Sequence, residues 1–395
     1  MSIHLTPIGW TYLFYSGDSS VNRVDKMPSD VYFTDYRNEL GHSMLDKMLS
    51  LIKKAGIDRI DFKDKFVAVK LTFGEWGNVA FVRHQYAKVL CDYIKSRGGM
   101  PFLTDCNTLY AGYRNQALLH LDAAYMNGFS PLSTGVHTII ADGLRGTDER
   151  DEPVRNGELC KTAKIGSAIV EADVIISLTH FKGHVVAGYG GVLKNIGMGC
   201  GSKQGKMEMH SSGTPVINRD KCIGCGMCAK NCAHEGVSII DKKAVIDEKN
   251  CVGCGHCFSF CPKGAIDCSW KGASADVYKK IAEYTQAVIQ DKPHFHISFV
   301  KEVSPFCDCD HGNDSPVVPD IGVFAGFDPL AIDQACVDAV NKAPIIENSF
   351  IGKHAHDEGE HDIAHLVSPD SDWEAGFAHA EKIGVGTRDY RLITL

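Results

Sequence analysis

Apolar positions along the chain follow two periods, and where the period changes the elements can be placed. Residues 42–55 put Met44, Leu45, Met48, Leu49 and Ile52 on one helical face, with Gly56 as the stop. Phe66 to Leu71 is a near-continuous apolar run, the pattern of a strand buried on both faces, and it leads through a loop to a helix from about Val82 to Ser96 closed by Gly98-Gly99. A strand around Phe102 ends at Asp105, and His137–Ala141 and Asp173–Leu178 supply two more. Beyond residue 270 the pattern predicts a helix over 273–290, strands over 296–300 and 321–325, and a helix over 329–341. Strand and helix in alternation predict an α/β domain with a largely parallel sheet. Residues 213–269 interrupt that pattern, so the expected architecture is discontinuous: 1–212 and 270–395 form the α/β domain, and 213–269 is inserted in it.

Composition narrows the function classes. With 395 residues and 44% hydrophobic content the chain has the means to bury two or three units. A net charge of -8 argues against a nucleic-acid partner, which calls for a basic face. Met1 to Trp10 has no basic segment, apolar core or small-residue cleavage site, and no apolar run reaches membrane-spanning length. The expectation is a cytoplasmic protein with no membrane partner. In that compartment the 16 cysteines point to metal binding or chemistry rather than disulfides.

Half of those cysteines fall in one window. Cys222, Cys225, Cys228 and Cys232, then Cys251, Cys254, Cys257 and Cys261, repeat C-x2-C-x2-C-x3-C twice. Thiolates two residues apart let a tight loop wrap one metal centre, and glycines at 224, 226, 253 and 255 permit the turning. A pair of zinc knuckles is the competing reading of eight cysteines. Between the copies, 236–240 and 244–247 read as a hairpin turning at Asp241 to Lys243. The whole segment resembles the bacterial-type two-cluster ferredoxins. That resemblance implies two 4Fe-4S clusters, one held by Cys222, Cys225, Cys228 and Cys261, the other by Cys251, Cys254, Cys257 and Cys232. One departure is Ala233 after Cys232, where the second copy has Pro262, which implies an altered environment for the cluster that Cys232 serves.

Ligands of open α/β sheets gather at the carboxyl ends of strands, and the segment after the 173–178 strand is the richest in chemistry. Seven glycines lie between 183 and 201, a density that lets a backbone approach a ligand and present amide donors. Lys182, Lys194 and Lys203 are candidate anion ligands, and His180 and His184 candidate proton shuttles. Gly190, Gly191 and Cys200 complete the expected binding loop; a flexible glycine-rich linker is the alternative. Cys307, Cys309 and His311 form a C-x-C-x-H cluster, able to hold a metal, touch substrate or sit in an unliganded loop. His354, His356, His361 and His365 crowd twelve residues, and His361 and His365 have the spacing of a shared helical face. Lys70 and Arg83 could bind a carboxylate or phosphate, or pair with Glu75. Cys91 and Cys336, on apolar helical stretches, read as core thiols.

Taken together, Val67–Gly74, the 171–177 strand, the 184–199 loop, the cysteine insert and Gly326–Cys336 resemble the iron-sulfur centre proteins built on domain of unknown function 362. A second resemblance, to the nickel-pincer lactate racemase family, rests on His184, Gly188-Tyr189, Gly190-Gly191, Lys194 and His210. It implies a lysine that tethers a cofactor and a downstream histidine that ligates nickel, although the glycine register differs and Met198-Gly199 stands where that family has proline. The expectation drawn from both is an iron-sulfur oxidoreductase. Single electrons would pass between the clusters and a small anionic ligand near Lys182 and Lys194, with His184 and Lys194 as catalytic candidates and a protein electron donor or acceptor as partner. A non-catalytic electron carrier or redox sensor and a pincer-type racemase are the alternatives.

Overall fold

A computed structural model of the protein describes residues 27–395 except 39, 110–111, 212–213, 233, 252–256, 258–260, 270–273, 358 and 360. The reading of Met1 to Trp10 and the assignment of Cys254 therefore lie outside the described residues.

Eight strands build one sheet: β1 Ser29–Asp35, β2 Phe66–Lys70, β3 Met100–Asp105, β4 Thr138–Ile140, β5 Val174–His180, β6 His294–Val300, β7 Gly322–Gly326 and β8 Tyr390–Thr394. Their order is β8-β1-β7-β6-β5-β2-β3-β4. Only β7 runs against its neighbours β1 and β6, and every other adjacent pair is parallel. The sheet is mixed α/β and largely parallel, as the alternation of elements predicts.

Side chains along each strand alternate between two cores. Val67 and Val69 of β2, with Val174, Ile176 and Leu178 of β5, face the layer of helices α1 Met44–Lys54, α2 His84–Ser96 and α3 Ala117–Met126. Ala68 and Ile175, one residue out of step, face the opposite layer. There lie α4 Val192–Cys200, α5 Lys203–His210, α6 Ser274–Ile289, α7 Pro329–Lys342 and α8 Trp373–Ile383, with α6 packed between α4 and α8. A fully buried valine or isoleucine contributes about 1.5–3 kcal/mol relative to exposure, which is why β5, buried at all seven positions, reads so plainly in the sequence. Cys91 and Cys336 are fully buried within these layers, as their apolar settings predict.

Local signals set the ends of the helices. Ser43 and Asp46 form a reciprocal capping box on α1, and Asp328 accepts from the Leu330 and Ala331 amides to start α7 with Pro329 in its first turn.

The structure differs from the sequence reading in two places. β1 and β8 carry only short apolar runs, Val31-Tyr32-Phe33 and Leu392-Ile393, from which the sequence reading expects no strand, and most of their residues are half-exposed or exposed. The glycine-rich stretch expected as a loop is instead a tight ribbon, Lys182–His184 against Gly188–Gly190, followed directly by α4. Glycine costs a helix about 1 kcal/mol per residue, so its density argues against one. Tertiary packing overrides that cost: Val192, Leu193 and Ile196 are buried, and Asp333 of α7 caps the helix, accepting from the Val192 and Leu193 amides at 2.6 and 2.9 Å.

Within 213–269, Thr214–Ile217 pairs antiparallel with Ile266–Ser269, which brings the two ends of the segment side by side. Val237–Ile240 and Lys243–Ile246 form the expected hairpin, and positive φ at Asp241 (49°) and Lys242 (58°) gives the turn that suits strand twist. No helix among the described residues is long and apolar enough to cross a membrane.

The Asp333 cap makes one position intolerant. A Cβ on Gly191 would stand 2.2 Å from Asp333 Oδ1, although its φ of -104° suits any residue. Gly191→Ala should therefore act by displacement of the carboxylate alone and lower stability by about 2–4 kcal/mol in urea unfolding. A loss below ~0.5 kcal/mol would show that the cap does not hold α4.

Candidate functional site

Three adjacent strands, β5, β2 and β3, end at His180, Lys70 and Asp105, and α4 crosses above those ends. Between them lies a recess of ≈ 70 Å³ whose wall includes Arg114, Lys182, Lys194, Lys206, Cys307 and Cys309. It occupies the carboxyl edge of the parallel part of the sheet, where α/β folds hold ligands.

A knot of buried charge makes up the floor. Lys70 Nζ reaches Asp105 Oδ1 at 3.0 Å and donates to Asn195 Oδ1 at 2.8 Å, with both ionic side chains nearly inaccessible. Arg114 joins Asp105 Oδ2 and Glu75 Oε2, each at 3.3 Å, and donates to the Asp308 carbonyl at 3.1 Å. Burial works against the charge on Asp105, but Lys70 and Arg114 outweigh it and hold its pKa below the ordinary value. His120, beneath Asp105, is driven by burial to about 3 and is neutral. Glycine at 199 is what leaves room for this knot, since a Cβ there would lie 2.4 Å from Lys70 Nζ.

Asp308 forms the opposite wall. Its Oδ1 bonds His180 Nδ1 at 2.8 Å and its Oδ2 lies 3.2 Å from Lys182 Nζ. Burial alone would raise its pKa, yet His180 and Lys182 pull it down to about 2. Lys194 Nζ donates to Cys307 Sγ at 3.3 Å, and burial, which opposes the ammonium, is outweighed by the Cys307 and Cys309 sulfurs, so its pKa is raised. The neighbouring Cys309 thiol, aided by Lys194 and Lys182 and opposed by burial, holds Cys307 well below the usual thiol range, while Cys307 and burial push Cys309 well above it. Lys206 Nζ donates to the Gly201 carbonyl. Among the described residues no carboxylate oxygen lies within 4.0 Å of Lys194 or Lys206 Nζ, so one half-buried and one buried ammonium group at the recess lack an acidic partner.

A family model for a domain of unknown function, DUF362, matches residues 67–338. The chain belongs to the DUF362 family. No curated protein matches it. Among solved structures it is similar to the lactate racemase apoprotein from Thermoanaerobacterium thermosaccharolyticum, at 13% identity and a TM-score of 0.39 over 80% of this chain. It is also similar to a Thermotoga maritima protein, at 15% identity and a TM-score of 0.40 over 75% of this chain. The chain spans 58% of the length of each.

In this DUF362 protein the recess gathers Lys182 and Lys194, and Gly190 lies between their stems, its would-be Cβ 3.3 Å from Lys182 and 3.6 Å from Lys194. Gly191 serves the Asp333 cap instead. His184 sits behind the recess; its Nδ1 accepts from the Val186 and Ala187 amides at 3.1 and 2.9 Å, and burial followed by the Lys194, His210 and Lys182 charges pushes its pKa well down. It offers a neutral Nε2–H. Cys200 is fully buried, with burial pushing it up to about 12, and its carbonyl accepts from Cys106 Sγ at 3.3 Å. Lys203 lies with its stem against Gly146, and Lys206, three residues on, takes the place at the recess that the sequence reading gave to Lys203. Lys70 pairs with Asp105 rather than Glu75, and Arg83 with Glu302 at 3.0 Å. His311 is 84% exposed and pairs with Asp310, away from Cys307 and Cys309. His365 lies in the short helix Ile363–Val367, capped by Asp362, so His361 precedes that helix and shares no face with it. The sequence signals passed over were Asp105 at a strand end and Arg114.

In the 213–269 segment, Cys222, Cys225, Cys228 and Cys261 line one small cavity. Backbone amides point at the sulfurs: Ala244 to Cys222 at 3.3 Å, Gly236 to Cys232 at 3.3 Å and Ala265 to Cys261 at 3.1 Å. Cys251 and Cys257 are described and Cys254 is not. Among the described residues no three His, Cys, Asp or Glu side chains converge as a site for a single metal ion.

Asp308 gives this wall an acid limb. A carboxylate held at about 2 instead of 3.8 stabilises the fold above the ordinary carboxylate range and loses that contribution as pH falls from about 4 through 2. Asp308→Asn should cost about 3 kcal/mol near neutral pH by stranding His180 and Lys182. Its deficit relative to wild type should shrink by about 2 kcal/mol between pH 6 and pH 2 in urea titrations; a deficit constant across that range would contradict the assignment.

Proposed function

We propose that the protein is an iron-sulfur oxidoreductase in which the 213–269 segment carries two 4Fe-4S clusters and exchanges single electrons with a small anion held in the recess of the α/β domain. The donor chemistry fits the clusters. Cys261 comes from the second cysteine copy yet lines the same cavity as Cys222, Cys225 and Cys228 of the first, which is the sharing expected of two-cluster ferredoxins, and this observation carries the reading. Amide donors to Cys222, Cys232 and Cys261 suit coordinated thiolates, because they spread sulfur charge without adding a counter-ion. Cys251, Cys254 and Cys257 would complete the second set with Cys232. When bound, the clusters would supply one-electron steps.

The recess supports an anionic ligand. Burying an ammonium costs several kcal/mol unless it is compensated, and Lys194 and Lys206 leave that compensation to a ligand or, for Lys194, to the Cys307 sulfur. Carboxylate is the class that such a recess of lysines would hold. The electrons would enter or leave through a docked protein partner.

Anaerobic purification followed by iron, nickel and sulfide analysis and by EPR before and after dithionite tests the proposal. It expects about eight iron and eight sulfide per chain and signals that appear on reduction. Zinc in place of iron, or clusters inert to dithionite, would sink it. Nickel with a covalent adduct on Lys194 in the intact mass would favour a pincer-type racemase instead.

A further inference from the structure

Cys307 and Cys309 stand at the recess in a setting built for sulfur chemistry. Asp310 N donates to the Cys307 carbonyl at 2.9 Å, so 307–310 is a turn, and it presents both cysteines to the same recess. The turn is clamped from outside. The Asp308 side chain is held by His180 and Lys182, its carbonyl accepts from Arg114 Nη2 and from Glu75 N at 3.1 Å each, and the Asp310 carbonyl accepts from Asn78 Nδ2 at 3.0 Å. Both sulfurs line the ligand recess, and Lys194 Nζ stands 3.3 Å from Cys307. A pair of packing cysteines needs neither the ammonium nor the open space. Cys200, close by, is enclosed, and Cys106, which also lines the recess, donates to the Cys200 carbonyl at 3.3 Å.

We propose that Cys307 and Cys309 form a dithiol–disulfide couple at the ligand site. In the oxidising direction the Cys307 and Cys309 sulfurs join in one S–S bond, releasing two electrons and two protons. In the reducing direction two electrons and two protons break that bond and restore both thiols. The electrons pass singly to or from the two 4Fe-4S clusters, so the inference rests on the function proposed above for its electron supply, while the couple itself stands on the recess. Lys194 stabilises the thiolate that starts the exchange. The couple would convert one-electron traffic into the two-electron change that most small organic anions undergo.

The full-length protein, purified anaerobically, is equilibrated with reduced and oxidised dithiothreitol in set ratios, its thiols are trapped with N-ethylmaleimide, and residues 307 and 309 are followed by tandem mass spectrometry. The two should pass together from doubly alkylated to a linked form, their ratio changing tenfold for each tenfold change in the dithiothreitol ratio. Cys309→Ser should abolish the transition while Cys307 remains open to alkylation, and Lys194→Met should slow Cys307 alkylation at pH 7 by about tenfold or more. Two free thiols at every ratio, or a zinc or nickel ion that blocks both, would overturn the proposal. The wild-type titration decides the matter if either variant fails to fold. Missing EPR signals would remove the electron supply and leave this titration unchanged, so the two readings fail separately.

Discussion

Lys70 ends β2 with its ammonium out of reach of water, and much of the molecule is arranged by what that charge requires. Asp105 meets it from the next strand and Asn195 from the helix above, at 3.0 and 2.8 Å. Loss of Asp105 would leave an uncompensated charge in the interior, a penalty of about 3–5 kcal/mol, whereas loss of Asn195 would remove a hydrogen bond and leave the ion pair in place. The consequence is geometric as well as energetic. Asn195 also donates to Thr179 Oγ1 of β5 at 2.9 Å, so one side chain of α4 is fastened to two neighbouring strands. With residue 195 locked and Gly199 pressed over Lys70, α4 can dock in only one rotation. Lys194, next in the chain, is carried into the recess by that docking and meets Cys307 Sγ there at 3.3 Å.

How far the sequence reveals this depends on what each element has to bury. β2 and β5 lie inside the sheet and carry apolar residues on both faces, so their runs are legible to within about two residues. β1 and β8 are mostly half-exposed or exposed, and their apolar runs, Val31-Tyr32-Phe33 and Leu392-Ile393, are too short to stand out from surface chain. For α4 the local signal is actively misleading, because its glycines make space for Asp333 and Lys70, partners more than a hundred residues away in one direction and in the other. The site shows the same division. Lys182 and Lys194 are visible beside a strand end, whereas the choice of Lys206 over Lys203 turns on which side of α5 faces β3, and only the packed helix determines that.

Charge around the recess is deliberately uneven. Asp105, Glu75 and Asp308 answer Lys70, Arg114 and Lys182, and Lys194 and Lys206 remain. Asp142 is a further acid whose charge Lys206 feels, but burial pushes it up to about 6 and Asn107 donates to its Oδ1, so it offers only a weakened counter-charge near neutral pH. An interior with surplus ammonium is unstable unless something negative fills it, and in a recess of ≈ 70 Å³ the choices are a small anion or a thiolate already in place.

The sulfur environments separate along the same physical line. Cysteines in 213–269 receive backbone amides, which stabilise sulfur whose charge is shared with a bound centre and add no net positive charge. Cys307 receives an ammonium and a neighbouring thiol, which stabilise a free anion and place a second sulfur where a bond could form. An amide environment favours a centre that gains or loses one electron with little movement of protons. An ammonium and thiol environment favours a group that moves electrons with protons, in pairs. A chain that contains both, joined through a paired ribbon at 214–217 and 266–269, has the parts to link the two kinds of transfer. Under the proposed function, an anion held by Lys194 and Lys206 would meet the sulfur pair directly, because all four residues line one recess.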